Sequence, residues 1–249
     1  MGIKGLSKFV RKFATPRDIS YYKDKTFAID AFIYLYKFKF GGSVLKGIEN
    51  HVKLLKANGI TPIYVFDGKK PEEKKETMVK RKIKNATFVT KEEIQQVKDF
   101  FDVESVKWTV APSEGEKFCA YLNKIGEADV VLSNDYDTLL FGCKKLLTID
   151  NKELFEYDTE EILTSLQLTS EQLIEICIAS GSDYYSSGAK GIGMIKALKL
   201  LKKFKYQGIE FWNLELDEEF KTRLNTIRII FTNFEKEEMC NKMGKRLFG

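Results

Sequence analysis

The sequence predicts an α/β fold in which a mainly parallel central sheet is flanked by helices. Short apolar stretches with the composition of strands alternate with longer stretches of helical periodicity, and this alternation is typical of βαβ units. The strand-like stretches cover residues 26–30, 61–67, 105–110 and 128–133.

The second half of the chain follows a different pattern. Residues 145–150 and 153–158 are predicted to form a hairpin at the edge of the sheet, and the pattern after Thr159 is helical to the end. We therefore expect a core over residues 1–165 and a helical subdomain over residues 166–249.

Helical stretches lie between the predicted strands. One covers residues 31–58 and is interrupted at Gly41 and Gly42, and a Lys- and Glu-rich one covers residues 71–85. A third runs over residues 91–102. It begins after Thr90, with Glu93 placed to complete a capping box. Ser113 is predicted to open a fourth helix, which runs to about residue 125.

Composition limits the class of protein. The chain has 249 residues, of which 43% are hydrophobic, so it has enough apolar material for a substantial core. The net charge of +5 permits a nucleic-acid partner without requiring one. No apolar run approaches the roughly 18 residues of a membrane span, and the start of the chain lacks the apolar segment of a signal peptide.

Cysteine and histidine usage excludes several chemistries. The four cysteines form no CxxC pair, which argues against a zinc site and indicates free thiols of a reducing, intracellular compartment. The one histidine, His51, lies in an amphipathic helical pattern, and we expect a surface or interface residue rather than a catalytic base. Catalysis through a Ser-His-Asp or Cys-His pair is therefore not expected.

Acidic residues follow the predicted strands. Asp30, Asp67, Asp135 and Asp137 fall at or just beyond strand ends. In an open parallel sheet the carboxyl ends of the strands meet at one edge, where ligands bind. Crowded carboxylates repel each other unless a cation offsets their charge. Mg²⁺ prefers such oxygen ligands, and two ions about 3.5–4 Å apart support phosphodiester hydrolysis.

Each acidic residue also has a structural interpretation. Asp67 precedes Gly68, and the pair could be merely a turn after a strand. Glu116 could cap a helix in a box with Ser113. Asp135 and Asp137 could lie at a helix N-terminus. Asp183 could be a turn or cap residue, so the joint placement of these acids carries the metal-site prediction.

Basic and glycine-rich segments are candidates for phosphate contact. Lys74 and Arg81 are two helical turns apart and project from one face. The glycine-rich stretch 187–193 precedes a lysine-rich helix, and its exposed N–H groups would suit DNA phosphates. The alternatives are a solvated helix for the first segment and a plain helix connection for the second. Tyr36 could stack on a base or belong to the core.

In the helix after the glycines, four apolar residues are expected to be core. They are Ile192, Ile195, Leu198 and Leu201.

Seven motifs, in order, cover about residues 1 to 205: MGIKGL, FAIDA, IYVFDGKKP, APSEGEK, LSNDYDTLLFG, SGSDYY and GAKGIG. Together they resemble the flap endonuclease family, the structure-specific 5′ nucleases related to the xeroderma pigmentosum group G enzyme. The resemblance implies a PIN-like α/β nuclease core with an attached helix-two-turn-helix element, here at about residues 183–203. It also implies DNA as the partner, with flapped, branched or nicked duplexes as substrates.

The resemblance assigns roles to individual residues. It implies a site for Mg²⁺, with Mn²⁺ as a substitute, built from seven carboxylates: Asp30, Asp67, Glu114, Glu116, Asp135, Asp137 and Asp183. It matches Lys74 and Arg81 to the basic pair of the family's arch helix, at about residues 71–85. The implied DNA contacts are Gly2, Tyr36, Gly191, Gly193 and Lys196, with a K⁺ ion at the glycine hairpin.

Some features depart from the family. The stretches between Asp30 and Asp67 and between Arg81 and Glu114 are shorter than in cellular flap endonucleases, and Met194 stands where the family often has proline. No clamp-binding motif is recognised near the C-terminus, so recruitment by a sliding clamp is not expected. We also expect a monomer. The leading hypothesis is a flap endonuclease with 5′→3′ exonuclease activity. A Holliday-junction resolvase, an RNase and a non-catalytic DNA-binding scaffold are the alternatives.

Overall fold

The computed structural model describes residues 2–68 and 88–232. These residues form a seven-stranded sheet. Helices lie on both faces, as the sequence predicts, but the strand Thr15–Arg17 was not predicted. The strands are β1 (Thr15–Arg17), β2 (Thr26–Asp30), β3 (Thr61–Phe66), β4 (Lys107–Val110), β5 (Val130–Leu132), β6 (Lys145–Asp150) and β7 (Glu153–Asp158).

The helices fill the connections between the strands and the C-terminal part. In the first half they are α1 (Leu6–Val10), α2 (Ala31–Phe40), α3 (Val44–Ala57), α4 (Lys91–Val103) and α5 (Gly115–Ile125). In the second half they are α6 (Thr159–Leu166), α7 (Ser170–Ser180), α8 (Met194–Lys203) and α9 (Glu218–Thr232). None of the helices described is both long and apolar enough to cross a bilayer.

The strand order is β1-β7-β6-β5-β2-β3-β4. Strands β2 to β6 run parallel to their neighbours among themselves, whereas β7 is antiparallel to both β6 and β1. The hairpin of β6 and β7 is confirmed, but its predicted position at the sheet edge is wrong, because β1 pairs with β7 and forms the edge. A three-residue strand that contains Pro16 is too short to produce a recognisable pattern.

The strands alternate their side chains between two apolar clusters. Phe27 and Ile29 point to the cluster that contains α2, α3 and α4, while Ala28 points to the opposite one. The second cluster also contains residues of α1, α5 and the C-terminal helices. The division between residues 165 and 166 stays a prediction, since this cluster includes residues from both sides of it.

His51 is buried, so its predicted surface position is wrong. It exposes 8% of its area, stacks on Tyr34 with ring centroids 4.2 Å apart, and lies 2.8 Å from the Tyr64 hydroxyl. It shares the buried face of α3 with Ile48 and Val52.

The starts and faces of α4 and α8 test two of the sequence predictions. The capping box of Thr90 and Glu93 at α4 is confirmed. Of the four residues expected in the core, Ile192 just before α8 and Leu201 are buried and Leu198 is half-buried, but Ile195 is 60% exposed, so its expected core position is wrong. The buried face of α8 runs through Met194, Ala197 and Leu201, and Ile195 lies off that face.

Candidate active site

Acidic residues from adjacent strands meet at the carboxyl edge of the sheet. Asp30 is the last residue of β2 and caps α2, accepting a hydrogen bond from the Phe32 N–H at 3.0 Å. Asp67 directly follows β3, and Asp135 and Asp137 follow β5. Because β2 lies between β3 and β5, these carboxylates approach each other. The topology thus produces the convergence that the sequence predicted.

Glu114 and Glu116 join this edge from the start of α5. The N–H of Gly115 donates to Asp67 Oδ1 at 2.9 Å, which holds α5 against the end of β3. A Cβ on Gly115 would lie 3.0 Å from Asp67 Oδ1 and 3.7 Å from Asp30 Oδ1, so glycine permits this close approach. The N-cap residue is Glu114, without a side-chain cap. The alternative interpretation of Glu116 as a capping-box partner of Ser113, and of Ser113 as the helix start, is therefore wrong.

The N-terminal segment closes the other side of the site. The Ile3 N–H donates to Asp137 Oδ1 at 2.7 Å, and the Gly2 N–H donates to Asp183 Oδ1 at 3.2 Å. A Cβ on Gly2 would lie 2.6 Å from Asp137 Oδ1 and 2.7 Å from Asp135 Oδ1. Gly2 therefore touches three carboxylates that come from two separate parts of the chain.

The turn and cap interpretations of these acids hold alongside their convergence. Asp135 precedes the 3-10 helix Tyr136–Leu139 and accepts from the Asp137 N–H at 3.2 Å. Asp183 lies between the two residues of an isolated bridge, Ser182 and Tyr185. A local capping role and a place in the acidic cluster are thus compatible at both positions.

The electrostatics of the cluster are those of crowded, buried acids. Asp30 is 5% exposed, and burial, followed by the negative charges of Asp67 and Asp135, raises its pKa to about 8. Burial, together with Asp30, Glu116 and Asp67, also raises the pKa of the nearby Cys119 thiol. Asp30 is thus linked to the β3 acid on one side and to the β5 acid on the other.

The donor set fits a hard divalent cation. All seven predicted ligands are carboxylates, and five of them are buried: Asp30, Glu114, Glu116, Asp137 and Asp183. Oxygen donors of this kind suit Mg²⁺, and a cation would offset their mutual repulsion. Within the described residues, no three His, Cys, Asp or Glu side chains are already arranged as a metal-binding group. Several of these carboxylates instead accept hydrogen bonds from backbone N–H groups.

Four further predicted site residues are described by the structure, on α2 and beside α8. Tyr36 on α2 is 38% exposed, with its ring 6.2 Å from that of Phe32. Gly191 and Gly193 lie before α8, and Lys196 donates to the Gly191 carbonyl at 3.4 Å. Lys74 and Arg81 fall outside the described residues. Contact of any of these residues with DNA stays a prediction.

Two contacts at the site were not anticipated from the sequence. The buried Tyr184 hydroxyl donates to Glu114 Oε2 at 2.5 Å, which connects the loop after α7 to the start of α5. Ser133 Oγ accepts from the Asp135 N–H at 3.1 Å and shapes the turn after β5. Tyr184 adjoins Asp183 in SGSDYY, but nothing in that motif identifies Glu114 as its partner.

Comparison with known proteins gives a consistent family. The XPG N-terminal domain model matches residues 1–87, and the XPG I-region model matches residues 105–183. Flap endonuclease 1 of Enterocytozoon bieneusi is 32% identical over 97% of this chain and 82% of that protein. Flap endonuclease 1 of Methanopyrus kandleri is also 32% identical, over 82% of this chain and 73% of that protein.

Solved structures share the fold. The catalytic core of Rad2 in complex with DNA substrate superposes with a TM-score of 0.78, at 24% identity, over 92% of this chain and 85% of that one. Flap endonuclease-1 from Methanococcus jannaschii gives 0.72 at 24% identity, over 89% and 83%. The Holliday junction-resolving enzyme GEN1, in complex with product DNA and a Mg²⁺ ion, gives 0.64 at 23% identity, over 90% and 55%. The α/β nuclease fold expected from the sequence is therefore confirmed.

Proposed function

This chain belongs to the flap endonuclease family, and we propose that it is a metal-dependent, structure-specific DNA nuclease. It hydrolyses phosphodiester bonds at 5′ flaps, nicks or branched junctions. It also has 5′→3′ exonuclease activity, and it acts in DNA replication, repair or recombination. The observation that carries the proposal is the meeting of carboxylates from β2, β3, β5 and the start of α5 at one sheet edge. We also propose that it acts as a monomer.

The acidic cluster is proposed to bind two Mg²⁺ ions, with Mn²⁺ as a substitute. When bound, such ions activate the attacking water and stabilise the leaving oxygen. The ligands, directly or through water, are Asp30, Asp67, Glu114, Glu116, Asp135 and Asp137, with Asp183 in the outer part of the cluster. The Mg²⁺ ion in the GEN1 product complex supports this choice of cation.

The chain's own groups position these ligands. The Gly115 N–H orients Asp67, the Tyr184 hydroxyl orients Glu114, and the Ile3 N–H orients Asp137. A fixed orientation of each ligand reduces the reorganisation needed when substrate binds. These contacts therefore act as positioning interactions, and their loss would lower the rate without removing a ligand.

Other residues are proposed to hold the DNA. Lys74 and Arg81 contact the scissile phosphate and offset the charge that develops there, and Tyr36 stacks on a base near the cut. Gly191, Gly193 and Lys196 contact the duplex backbone, with a K⁺ ion at the hairpin. Support for these assignments comes from the motif matches and, for Tyr36 and Lys196, from their exposed positions.

One alternative substrate has specific support. The fold likeness to GEN1, whose structure is described as that of a Holliday junction-resolving enzyme, makes four-way junctions a candidate substrate. A cleavage panel of flaps, nicks, four-way junctions, RNA and RNA–DNA hybrids separates the possibilities. Preferential cutting of the four-way junction would replace the flap as the main substrate, and cutting of RNA alone would identify an RNase.

The decisive experiment removes one carboxylate. Asp137→Asn deletes a charge but keeps an oxygen that can accept from the Ile3 N–H. With Mg²⁺ present, we expect the single-turnover cleavage rate to fall at least about a hundredfold, while DNA affinity stays within a few-fold. Asp99→Asn is the matched control, because Asp99 is exposed on α4, a helix that contributes no carboxylate to the cluster. Normal turnover by Asp137→Asn would refute the mechanism.

A further inference from the structure

A groove separates α1 from the glycine hairpin before α8. It encloses about 800 Å³, and the lining that matters here consists of Lys4, Lys8, Phe9, Lys12, Met194 and Lys196. We call it the N-terminal groove. The segment before α1 is held close to the other side. A Cβ on Gly5 would lie 3.6 Å from Met194 Cγ, and the Lys4 N–H donates to the carbonyl of Gly181, the residue after α7, at 2.9 Å.

The lysines form a row along one wall. Lys4, Lys8 and Lys12 recur every four residues, and the 3-10 turn Arg11–Phe13 continues α1. The opposite side of this segment is anchored by buried Leu6 and Val10, so the row faces outward. All three lysines are exposed, and none forms an ion pair with an acid of the described residues within 4.0 Å.

The floor of the groove is apolar. Phe9 and Met194 contribute to it, together with Ile192, and each of these three is less than 10% exposed. Exposed cations above an apolar floor suit a ligand with repeated negative charges and apolar surface between them. The sugar–phosphate backbone of DNA has this character, and phosphate contacts supply most non-specific affinity for DNA.

The groove adjoins the acidic site. A second cavity of about 470 Å³ is lined by Gly2, Asp135, Asp137 and Asp183, and Lys4 lines both cavities. A strand held along the lysine row therefore lies at the entrance to the carboxylates. Lys8 and Lys12 are one turn apart, about 6 Å along a helix axis. That distance corresponds to about two phosphate steps along a duplex.

We propose that the N-terminal groove binds the sugar–phosphate backbone of DNA, with Lys4, Lys8 and Lys12 contacting phosphates and leading the strand to the acidic site. The proposal rests on the proposed nuclease function, since it supplies a path for that substrate. It adds a basic wall around α1 to the hairpin contacts and assigns a role to Lys8 and Lys12, which lie outside the family's motifs.

The test measures the salt dependence of binding. Fluorescence anisotropy with a 5′-flapped duplex in EDTA reports affinity without cleavage. For Lys4→Gln, Lys8→Gln and Lys12→Gln combined, the slope of log affinity against log salt is expected to fall by about 2 to 3, since each lost phosphate contact removes about 0.7 to 0.9. Lys8→Gln alone should lower the slope by about 0.7 to 0.9, the contribution of one phosphate contact, and Lys8→Arg should restore it.

The matched control removes the same charge elsewhere. Lys23, Lys53 and Lys107 are exposed and lie before β2, on α3 and at the start of β4. Their combined replacement by glutamine should leave the slope within about half a unit of the wild type. An unchanged slope in the groove variant, or an equal fall in the control variant, would overturn the proposal.

The design separates this proposal from the nuclease function. Binding is measured without metal, whereas cleavage by the wild-type chain is measured with Mg²⁺. Failure of the wild type to cleave any member of the substrate panel would remove the proposed function but leave the binding comparison interpretable. Cleavage by the wild type, together with an unchanged salt slope in the combined lysine variant, would remove the groove proposal alone. A melting curve of the combined variant checks that it is folded.

Discussion

The buried histidine makes the stability of the protein depend on pH in a definite direction. His51 stacks on Tyr34, faces Phe38, and lies within hydrogen-bonding distance of Tyr64. Burial, followed by the positive charge of Lys37, lowers its pKa to about 4 from the ordinary 6.5. The folded protein therefore resists protonation of an imidazole that the unfolded chain protonates readily.

The sign and size of this pH dependence follow from the linkage between protonation and folding. Because the folded-state pKa lies below the unfolded one, the stability contribution is complete above pH 6.5 and is lost as the pH falls towards 4. With these two pKa values, the loss of unfolding free energy relative to high pH is about 2 kcal/mol at pH 5 and about 3 kcal/mol at pH 4. A typical domain is stable by about 5–15 kcal/mol, so one side chain would remove a large share of the total.

Urea unfolding of wild type and His51→Gln at a series of pH values isolates this contribution. Between pH 7.5 and 5, we expect the wild type to lose about 2 kcal/mol more of its unfolding free energy than the variant, which has no titrating ring. Restricting the comparison to pH 5 and above limits interference from carboxylates. Parallel curves for the two proteins would refute the reasoning, since they would mean that His51 does not titrate differently in the folded state.

Three further predictions concern the site and a helix cap. Gly2→Ala is expected to lower single-turnover cleavage at least about tenfold, because its Cβ would meet Asp137 Oδ1 at 2.6 Å; a rate within twofold of wild type would contradict this. In EDTA at neutral pH, Asp30→Asn should raise the melting temperature, since burial, Asp67 and Asp135 raise the pKa of Asp30 to about 8 and the carboxyl must gain a proton on folding; the variant should also blunt the stabilisation by added Mg²⁺. A lower melting temperature in EDTA would count against this repulsion. Thr90→Ala should cost about 1 kcal/mol in urea unfolding through loss of the α4 cap, and no change would show that the cap is dispensable.

The alternation of elements was predictable because it depends on local periodicity. The strands that carry Asp30 and Asp67 are continuous apolar runs, and buried parallel strands have this composition. These two strands are neighbours in the sheet, which brings the acids together, and that adjacency depends on strand order. That order is set by packing between distant segments and has no local signature. The motif resemblance, rather than periodicity, identified Glu114 and Asp183.

The wrong predictions have specific causes. His51 follows Ile48 by three residues and precedes Leu55 by four, so the helical spacing already placed it on the buried face of α3. Its polarity led to the surface prediction, although Tyr34 and Tyr64 supply a ring to stack on and a hydroxyl to pair with. At Ser113, a sequence match to a capping box competed with a tertiary requirement. The chain turns into helix at Gly115 because its N–H must reach Asp67.

The two cavities beside the N-terminal segment carry opposite charge, and this has a consequence for the order of binding and cutting. Phosphates are attracted to Lys4, Lys8 and Lys12 with or without metal, whereas the carboxylates around Gly2 repel them until cations offset the negative charge. DNA affinity in EDTA should therefore be set mainly by the basic surfaces, and divalent cations should act on the final approach of the phosphate. Since residues 2–12 line one cavity and support the other, this short segment couples capture of the strand to formation of the site.

On this argument, adding Ca²⁺ should strengthen binding much more in the wild type than in Asp137→Asn, while the groove variant should keep the full Ca²⁺ effect. The same Ca²⁺ effect in wild type and Asp137→Asn would mean that the carboxylates do not repel the bound strand.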